Sequence, residues 1–285
     1  MMDVNVQWYP GHMAKAKRQI IENLKLVDAI CEIVDARIPI SSRNPDIDEI
    51  VGQKPRMMIL NRVDQADPNV TREWVEYFNS KGIMTIETNC KNGNGTAKYS
   101  QAINKLLEEK VRRYKETGQI GRTLKAMVVG VPNVGKSSFI NQVSKKKAAK
   151  VEDRPGLTKC QQWVTVDKSL ELLDTPGILW PKFDNRETGL RLAYTGAIKY
   201  DVLDIETIAC CFCEFLKNNY PNALKERYKI SLESDLGVEL LEEIAKKRGC
   251  LISGGEVDYT RTANILFEDY RSGKLGRISL EKPER

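Results

Sequence analysis

The sequence has no run of apolar residues long enough to cross a bilayer. Its apolar segment from Ile208 to Leu216 is too short to span one and is interrupted by Glu214. The N-terminus also lacks the basic-then-apolar pattern of a secretory signal. These absences predict a protein that has no membrane partner and works in the cytoplasm.

The cysteines do not form a recognisable disulfide or zinc framework. There are seven, an odd number, and Cys210, Cys211 and Cys213 lie together in one apolar stretch with helical spacing. That arrangement does not suit tetrahedral metal binding, whereas free cysteine packs as a small hydrophobe. We therefore expect core packing for this cluster and a reducing environment for the chain.

Charge is unevenly distributed along the chain, whose formal net charge is +6. Residues 183–285 contain 16 Lys or Arg and 18 Asp or Glu, and residues 1–182 contain 29 and 21. A basic excess of this kind favours a polyanionic partner such as RNA. It is also common in proteins that touch no nucleic acid, so both interpretations stay open at this point.

Residues 130–137, GVPNVGKS, match the pattern G-x-x-x-x-G-K-[ST] at every fixed position. An apolar run precedes them and a helical start follows, which is the context that a phosphate-binding loop requires. Consecutive backbone N–H groups at a helix start can bind a polyphosphate, Lys136 can reach its outer phosphates, and the Ser137 hydroxyl can coordinate Mg²⁺. The predicted phosphate-binding residues are Asn133, Val134, Gly135, Lys136, Ser137, Ser138 and Gly177.

A second segment supports this assignment. The apolar run from Leu170 ends in Asp174-Thr-Pro-Gly177, where a strand-end carboxylate can hold the Mg²⁺ shell and the glycine N–H can meet the γ-phosphate. Between the two motifs, a polar loop offers the hydroxyl of Thr158 as a further Mg²⁺ ligand in a γ-phosphate-sensing switch, unless it is an ordinary surface loop.

The usual guanine motif, Asn-Lys-x-Asp, is missing after the phosphate loop. Before it, however, an apolar strand leads into Asn61-Arg62-Val63-Asp64, and the next strand-like run leads into Asn89 and Cys90. A carboxylate at Asp64 can accept both edge donors of guanine, and Arg62 replaces the usual lysine. We interpret these two loops as a guanine site, with a coincidental turn as the alternative.

Base-recognition loops that precede the phosphate loop are typical of circularly permuted GTPases. The motifs QWYPGHMAKA at 7–16, DARIP at 35–39, Asn44-Pro45 and the tail segment 276–281 resemble the ribosome biogenesis GTPase A family. The resemblance implies a GTPase that acts in maturation of the large (50S) ribosomal subunit. Its implied ligands are GTP and GDP with Mg²⁺, and its implied partners are the subunit precursor and its rRNA, with no DNA.

Alternating strands and helices up to about residue 182 predict a doubly wound, mostly parallel α/β sheet. We expect this part, 1–182, to be the permuted GTPase domain, and 183–285 to be a smaller helical domain that contacts RNA or the ribosome. Predicted strands cover 29–35, 57–60, 83–88, 126–130, 161–166 and 170–174. Predicted helices cover 13–27, 70–80, 97–116, 187–198, 205–218, 236–248 and 257–271.

The position that holds a water-orienting glutamine in Ras-type GTPases is Ile178, which cannot hydrogen-bond water. His12, the single histidine, is a candidate catalytic group; the alternative is a helix-entry turn whose imidazole contacts RNA or its own backbone. Asn133 resembles the K⁺-binding asparagine of K⁺-dependent GTPases; the alternative is a local turn contact.

Three functions are compatible with these residues. The first is a GTPase whose cycle times its binding to an immature large subunit. The second is an RNA-binding module that uses GTP mainly as a structural ligand, which Ile178 favours. The third, a small-molecule kinase, lacks a visible acceptor site and base.

Overall fold

The computed structural model describes residues 11–119, 121–144, 162–180, 185–198 and 204–284, with side chains from Ala14 onward. These residues fall into two compact units. One contains residues 11–180 and 279–284, and the other contains residues 185–278.

The first unit is built on a six-stranded sheet in the order β3-β2-β1-β4-β6-β5. All neighbouring strands are parallel except β5 and β6, which pair antiparallel at one edge. The strands are β1 (Ala29–Asp35), β2 (Arg56–Asn61), β3 (Met84–Thr88), β4 (Leu124–Val129), β5 (Gln162–Asp167) and β6 (Leu170–Asp174). This sheet confirms the predicted α/β class.

Helices cover the sheet and create its two-sided core. They are α1 (Gly11–Asn23), α2 (Asp46–Val51), α3 (Pro68–Ser80), α4 (Lys98–Leu106), α5 (Glu108–Glu116) and α6 (Lys136–Ser144). All seven residues of β1 are buried, as expected of a central parallel strand. Ala16 and Ile20 of α1 pack in one cluster with Ile30 and Met127, while Trp74 of α3 packs with Met58 in another.

Two predicted helices differ from the structure. The helix predicted over 13–27 ends at Asn23 and continues as a 3-10 turn, Leu24–Leu26. The single helix predicted over 97–116 is wrong, because α4 and α5 are separated at Leu107, whose φ of −107° and ψ of 19° are not helical. Leu107 itself is buried, so packing offsets the broken helix.

The second unit contains the helices α7 (Arg186–Thr195), α8 (Ile205–Asn219), α9 (Pro221–Tyr228), α10 (Gly237–Arg248) and α11 (Tyr259–Arg271). Its core is aromatic: the ring of Phe212 lies 4.6 Å from Tyr194, 5.8 Å from Phe267 and 5.0 Å from Tyr270 between centroids. Core packing was predicted for Cys210, Cys211 and Cys213; Cys213 is buried in this core, whereas Cys210 and Cys211 are only half-buried. Helix α9 was not predicted; it begins at Pro221, since proline favours the first helical position.

The tail differs from the predicted division at residue 183, since residues 279–284 belong to the nucleotide unit. The Leu280 N–H donates to the Arg37 carbonyl (2.8 Å), and the Glu281 carboxylate accepts from the backbone N–H of Ile40 (2.5 Å) and Ser41 (3.1 Å). The Trp74 indole donates to the Glu281 carbonyl (3.3 Å). The chain end thus fixes the loop that follows β1.

Within the described part of the chain, none of the helices combines the length and apolar character that a bilayer crossing needs.

Candidate nucleotide-binding site

The loop between β4 and α6 has a backbone that requires glycine at two positions. Gly130 has a φ of +152°, and a Cβ there would lie 2.4 Å from the carbonyl oxygen of Ile33. Gly135 has a φ of +99°, and its Cβ would lie 2.3 Å from the Asn61 amide nitrogen. Any side chain at either position would clash. The loop is therefore packed tightly beneath the helix start, as a phosphate cradle must be.

Lys136 lies inside this loop. Its Nζ donates to the carbonyl oxygens of Gly130 (3.1 Å) and Val131 (2.9 Å), and the side chain is buried. Burial lowers the pKa of Lys136 to about 8, although the nearby Asp174 carboxylate opposes the shift. A buried ammonium that is held by carbonyl oxygens is ready to receive a more strongly anionic partner.

Asp174, at the end of β6, supplies the acidic side of the site. Burial raises the pKa of this carboxyl, against the opposing effects of Lys136, the Thr175 N–H and the Ser137 hydroxyl. Its Oδ1 is buried and has no hydrogen-bond partner among the described residues. An unpaired buried carboxylate oxygen beside a serine hydroxyl fits a hard cation with oxygen ligands, so these residues fit Mg²⁺.

The segment after Asp174 packs directly on the phosphate loop. A Cβ at Gly177 would lie 2.7 Å from the Pro132 nitrogen and 2.9 Å from Lys136 Nζ, so only glycine fits there. The next residue, Ile178, is buried and packs in the same core cluster as Ala16 and Ile20. Its side chain therefore points into the core, and the described residues place no water-orienting group at this position.

Asn61 joins both base-recognition loops to the phosphate loop. Its Nδ2 donates to the Val134 carbonyl (2.7 Å), and its Oδ1 accepts from the Cys90 backbone N–H (3.1 Å) and the Thr88 hydroxyl (3.4 Å). The side chain is buried. Asn61 thus holds together three segments that are far apart in sequence, which sequence reasoning did not show.

Arg62, which replaces the usual lysine of the guanine motif, contacts both the phosphate loop and Asp35. The residue has a φ of +65°, its guanidinium donates to the Asn133 carbonyl (3.0 Å), and its Nε lies 3.7 Å from Asp35 Oδ2. Asn133 also has a positive φ, +61°. Arg62 therefore supports the phosphate loop from outside, a role that a lysine would perform with fewer directed donors.

The remaining base-loop residues differ in exposure. Asp64 is exposed, whereas Asn89 and Cys90 are buried. The Asn89 carboxamide accepts from the Lys91 N–H (2.9 Å), and burial raises the pKa of the Cys90 thiol to about 12, so this cysteine is a neutral structural group. The carboxylate of Asp64 is left accessible for a ligand.

Sequence reasoning missed the pair formed by Asp35 and Arg37 as part of this site. Arg37 donates to both oxygens of Asp35, from Nε (2.9 Å) and from a terminal nitrogen (2.7 Å), with both side chains buried. The only signal was the DARIP motif itself. Two predicted residues fall outside the description: Thr158 entirely, and His12 in its side chain.

The chain is similar to several known proteins. A family model described as "50S ribosome-binding GTPase" matches residues 125–211. Ribosome biogenesis GTPase A of Bacillus cereus is 49% identical over 98% of this chain and 94% of that protein. Mouse mitochondrial ribosome-associated GTPase 1 is 33% identical over 97% of this chain and 90% of that protein. The crystal structure of GNP-bound YlqF from Thermotoga maritima is 30% identical, with a TM-score of 0.66 over 95% of this chain and 99% of that one.

The sheet, the glycine-dependent phosphate loop and the base-recognition loops that precede it define a P-loop GTPase with permuted element order. The full-length similarity then assigns the family. The chain belongs to the ribosome biogenesis GTPase A family.

Proposed function

We propose that this GTPase is an assembly factor for the large (50S) ribosomal subunit, whose binding and release are timed by hydrolysis of GTP to GDP. Its partners are the subunit precursor and its rRNA, and its place of action is the cytoplasm. The observation that carries the proposal is the cradle of Lys136, Asp174 and Gly177, which Asn61 joins to both base loops. The names of the relatives and of the matched family model support the ribosomal partner.

In this function the chain's own residues mainly bind and orient. Lys136 exchanges its two carbonyl acceptors for phosphate oxygens, and Gly177 presents its N–H without a side chain in the way. Ser137 and Asp174 hold Mg²⁺, with Thr158 as the proposed switch ligand. When bound, Mg²⁺ neutralises the charge that develops on the phosphates. Asp64 accepts the edge donors of guanine while Asn61 fixes the loop beneath it.

Co-sedimentation with purified large subunits tests the function. We expect the chain to sediment with subunits in the presence of a non-hydrolysable GTP analogue and to be released with GDP. Lys136→Ala, which removes the phosphate-binding ammonium, should abolish the difference between nucleotides. Sedimentation that does not depend on the nucleotide, or no sedimentation in any state, contradicts the timing role.

A second candidate function is an RNA-binding module with GTP as a structural ligand. The burial of Ile178 favours it, because no water-orienting side chain is described at that position. Multiple-turnover phosphate release in the presence of large subunits separates the two. Release of many phosphates per protein molecule supports the timed GTPase, and release of one or fewer supports the structural ligand.

We propose His12 as the water-orienting group and predict that His12→Ala suppresses subunit-stimulated hydrolysis while GTP affinity is unchanged. Unassisted GTPases turn over at roughly 10⁻⁴–10⁻² s⁻¹, and partners accelerate them about 10³-fold or more. Most of that acceleration should disappear in the variant. Phosphate release and calorimetric GTP binding are measured on the same samples. Unchanged stimulated turnover would instead favour the helix-entry or RNA-contact role.

We also propose a K⁺ ion beside the phosphates, held by Asn133. Asn133 is half-buried in the phosphate loop with a left-handed backbone, and its carbonyl accepts from Arg62. We predict that turnover falls at least about tenfold when KCl is replaced by NaCl at equal ionic strength, since removal of a positive charge near the transferred phosphate has this order of effect. The turnover rate of Asn133→Ala should be the same in KCl and in NaCl. Equal rates for the unaltered protein exclude a K⁺ requirement.

A further inference from the structure

Two aromatic rings of the nucleotide unit carry cations on their faces, away from the phosphate loop. Lys125 Nζ lies 4.9 Å from the ring centroid of Trp163, and the Arg122 guanidinium lies 4.9 Å from that of Tyr114. Lys110 Nζ also lies 5.7 Å from Tyr114. Trp163 is 41% exposed, which is a large apolar area for a surface residue. These five residues form what we call the cation–aromatic surface.

Asp28 connects the two aromatic groups. One of its carboxylate oxygens pairs with Lys110 Nζ, and the other accepts the Lys125 backbone N–H (2.8 Å). Since Lys110 faces Tyr114 and Lys125 faces Trp163, the two rings flank a common anchor. The anchor therefore holds the Lys110 side chain beside the backbone of Lys125 at the start of β4.

The surrounding charge is mostly basic, although Glu171 lies 3.7 Å from Lys125 Nζ and Glu116 lies 3.7 Å from Arg112 Nε. Residues 105–125 contain seven Lys or Arg and three Glu. This segment, which runs from the end of α4 to the start of β4, therefore holds a large part of the chain's net charge of +6. Arg112, Arg113 and Lys115 are exposed beside Tyr114. Positive charge of this density attracts a phosphate backbone.

The surface also lies apart from the nucleotide cradle. Lys125 is the second residue of β4, whereas the phosphate loop follows the last residue, Val129. At about 3.3 Å per residue, the backbone at Lys125 is roughly 13 Å from the end of that strand. A ligand on the cation–aromatic surface can thus bind without competing for the GTP site.

We propose that the cation–aromatic surface binds an unpaired RNA segment, with bases stacked on Trp163 and Tyr114 and phosphates held by the surrounding cations. This inference rests on the proposed ribosomal function and assigns it a second contact area. Trp163 is exposed and Tyr114 is half-buried. Accessible aromatic rings with adjacent cations are the combination that single strands use, because every unpaired base offers a π-face. In a duplex those faces are buried in the stack, so the aromatic rings would contribute little.

Fluorescence anisotropy with a labelled adenosine oligoribonucleotide of about twelve residues tests the proposal, since single-strand sites span roughly 4–16 nucleotides. In the full-length chain, Trp163→Leu is expected to weaken binding about tenfold without changing the salt dependence. Arg122→Gln is expected to reduce the slope of log affinity against log salt by about 0.7. Arg122 is exposed, so this variant keeps the test decisive if Trp163→Leu does not fold.

Lys81→Gln is the matched control, because Lys81 also lies over an aromatic ring, Tyr77 (5.7 Å), but next to the acidic residues Glu73 and Glu76. It should leave the affinity for the oligonucleotide within about twofold. GTP affinity, measured in parallel, should be unchanged in all three variants.

Three results would overturn the proposal. The first is an unchanged oligonucleotide affinity in both surface variants, and the second is a loss of affinity in Lys81→Gln as large as in those variants. The third is that Trp163→Leu weakens binding to blunt duplex RNA of the same length as much as binding to the single strand. Loss of binding to large subunits with unchanged oligonucleotide affinity would identify a protein partner instead of RNA. All of these outcomes are measured on surface variants and leave the nucleotide-dependent sedimentation of the unaltered chain intact, whereas failure of the unaltered chain to sediment contradicts the proposed function itself.

Discussion

Replacement of Asp64 by Asn is expected to lower the affinity for GTP about 100-fold and to raise the affinity for xanthosine triphosphate. A carboxylate accepts from both the N1–H and the N2 amino group of guanine. The asparagine amide keeps one acceptor, but its NH₂ group then faces the second guanine donor. Neither of these two donors has an acceptor. Loss of one charge-assisted hydrogen bond with an unpaired donor costs about 3 kcal/mol, hence about 100-fold. Xanthine presents a carbonyl at that edge, which the amide can meet.

Competition calorimetry with GTP, xanthosine triphosphate and ATP measures these three affinities. Asp64 is exposed, so the substitution should leave the fold unchanged. Glu87→Gln is a suitable control, because Glu87 is also an exposed carboxylate and lies on β3, which leads into the other base loop. The control should bind GTP like the original chain. An Asp64→Asn protein that still prefers GTP over xanthosine triphosphate would place guanine recognition elsewhere.

The phosphate loop could be predicted from the sequence because its determinants are contiguous. Gly130 and Gly135 are required by close backbone contacts, and the pattern of residues 130–137 states both requirements directly. Strand β1 was predicted with its observed ends, since a fully buried parallel strand appears as a nearly continuous apolar run, interrupted here by Glu32. Signals of this kind lie within one short segment, so they can be recognised in a single sequence.

Contacts between distant segments left no such signal. Asn61 donates to Val134 across 73 residues, and nothing in the order of residues predicts that its amide is used for this bond. The same holds for the tail, where Glu281 caps the backbone of Ile40 and Ser41. The break at Leu107 was also missed, because its cause is burial in the folded unit and not a glycine or proline.

Truncation of the buried Arg37 is expected to have the largest effect on stability. Arg37→Met should lower the free energy of unfolding by about 3–5 kcal/mol, because it leaves the buried carboxylate of Asp35 without its bidentate partner. Burial alone raises the pKa of Asp35, but Arg37, and to a lesser degree Arg62, more than offset it, so its pKa lies below the usual value. In the original chain the pair therefore stabilises the fold above the ordinary aspartate pKa of about 3.9, and this contribution is lost as the pH falls through the lowered value.

In Arg37→Met the pH dependence of this contribution to stability reverses, because the pKa of Asp35 then rises. The variant should therefore lose stability as the pH increases from about 4 to 7. Urea unfolding at several pH values measures this difference. Asp35→Asn combined with Arg37→Met removes the buried charge and should recover part of the lost stability, which completes a double-mutant cycle.

Arg112→Met serves as the control. Arg112 pairs with Glu116 on the surface, where the two side chains are 69% and 64% exposed, and its substitution should change stability by no more than about 0.5 kcal/mol. Since the Asp35 carboxylate also faces Arg62, which holds the phosphate loop at Asn133, Arg37→Met should weaken GTP binding as well. Equal stability of Arg37→Met and Arg112→Met would contradict the assignment of Asp35 and Arg37 as the pair that supports this site.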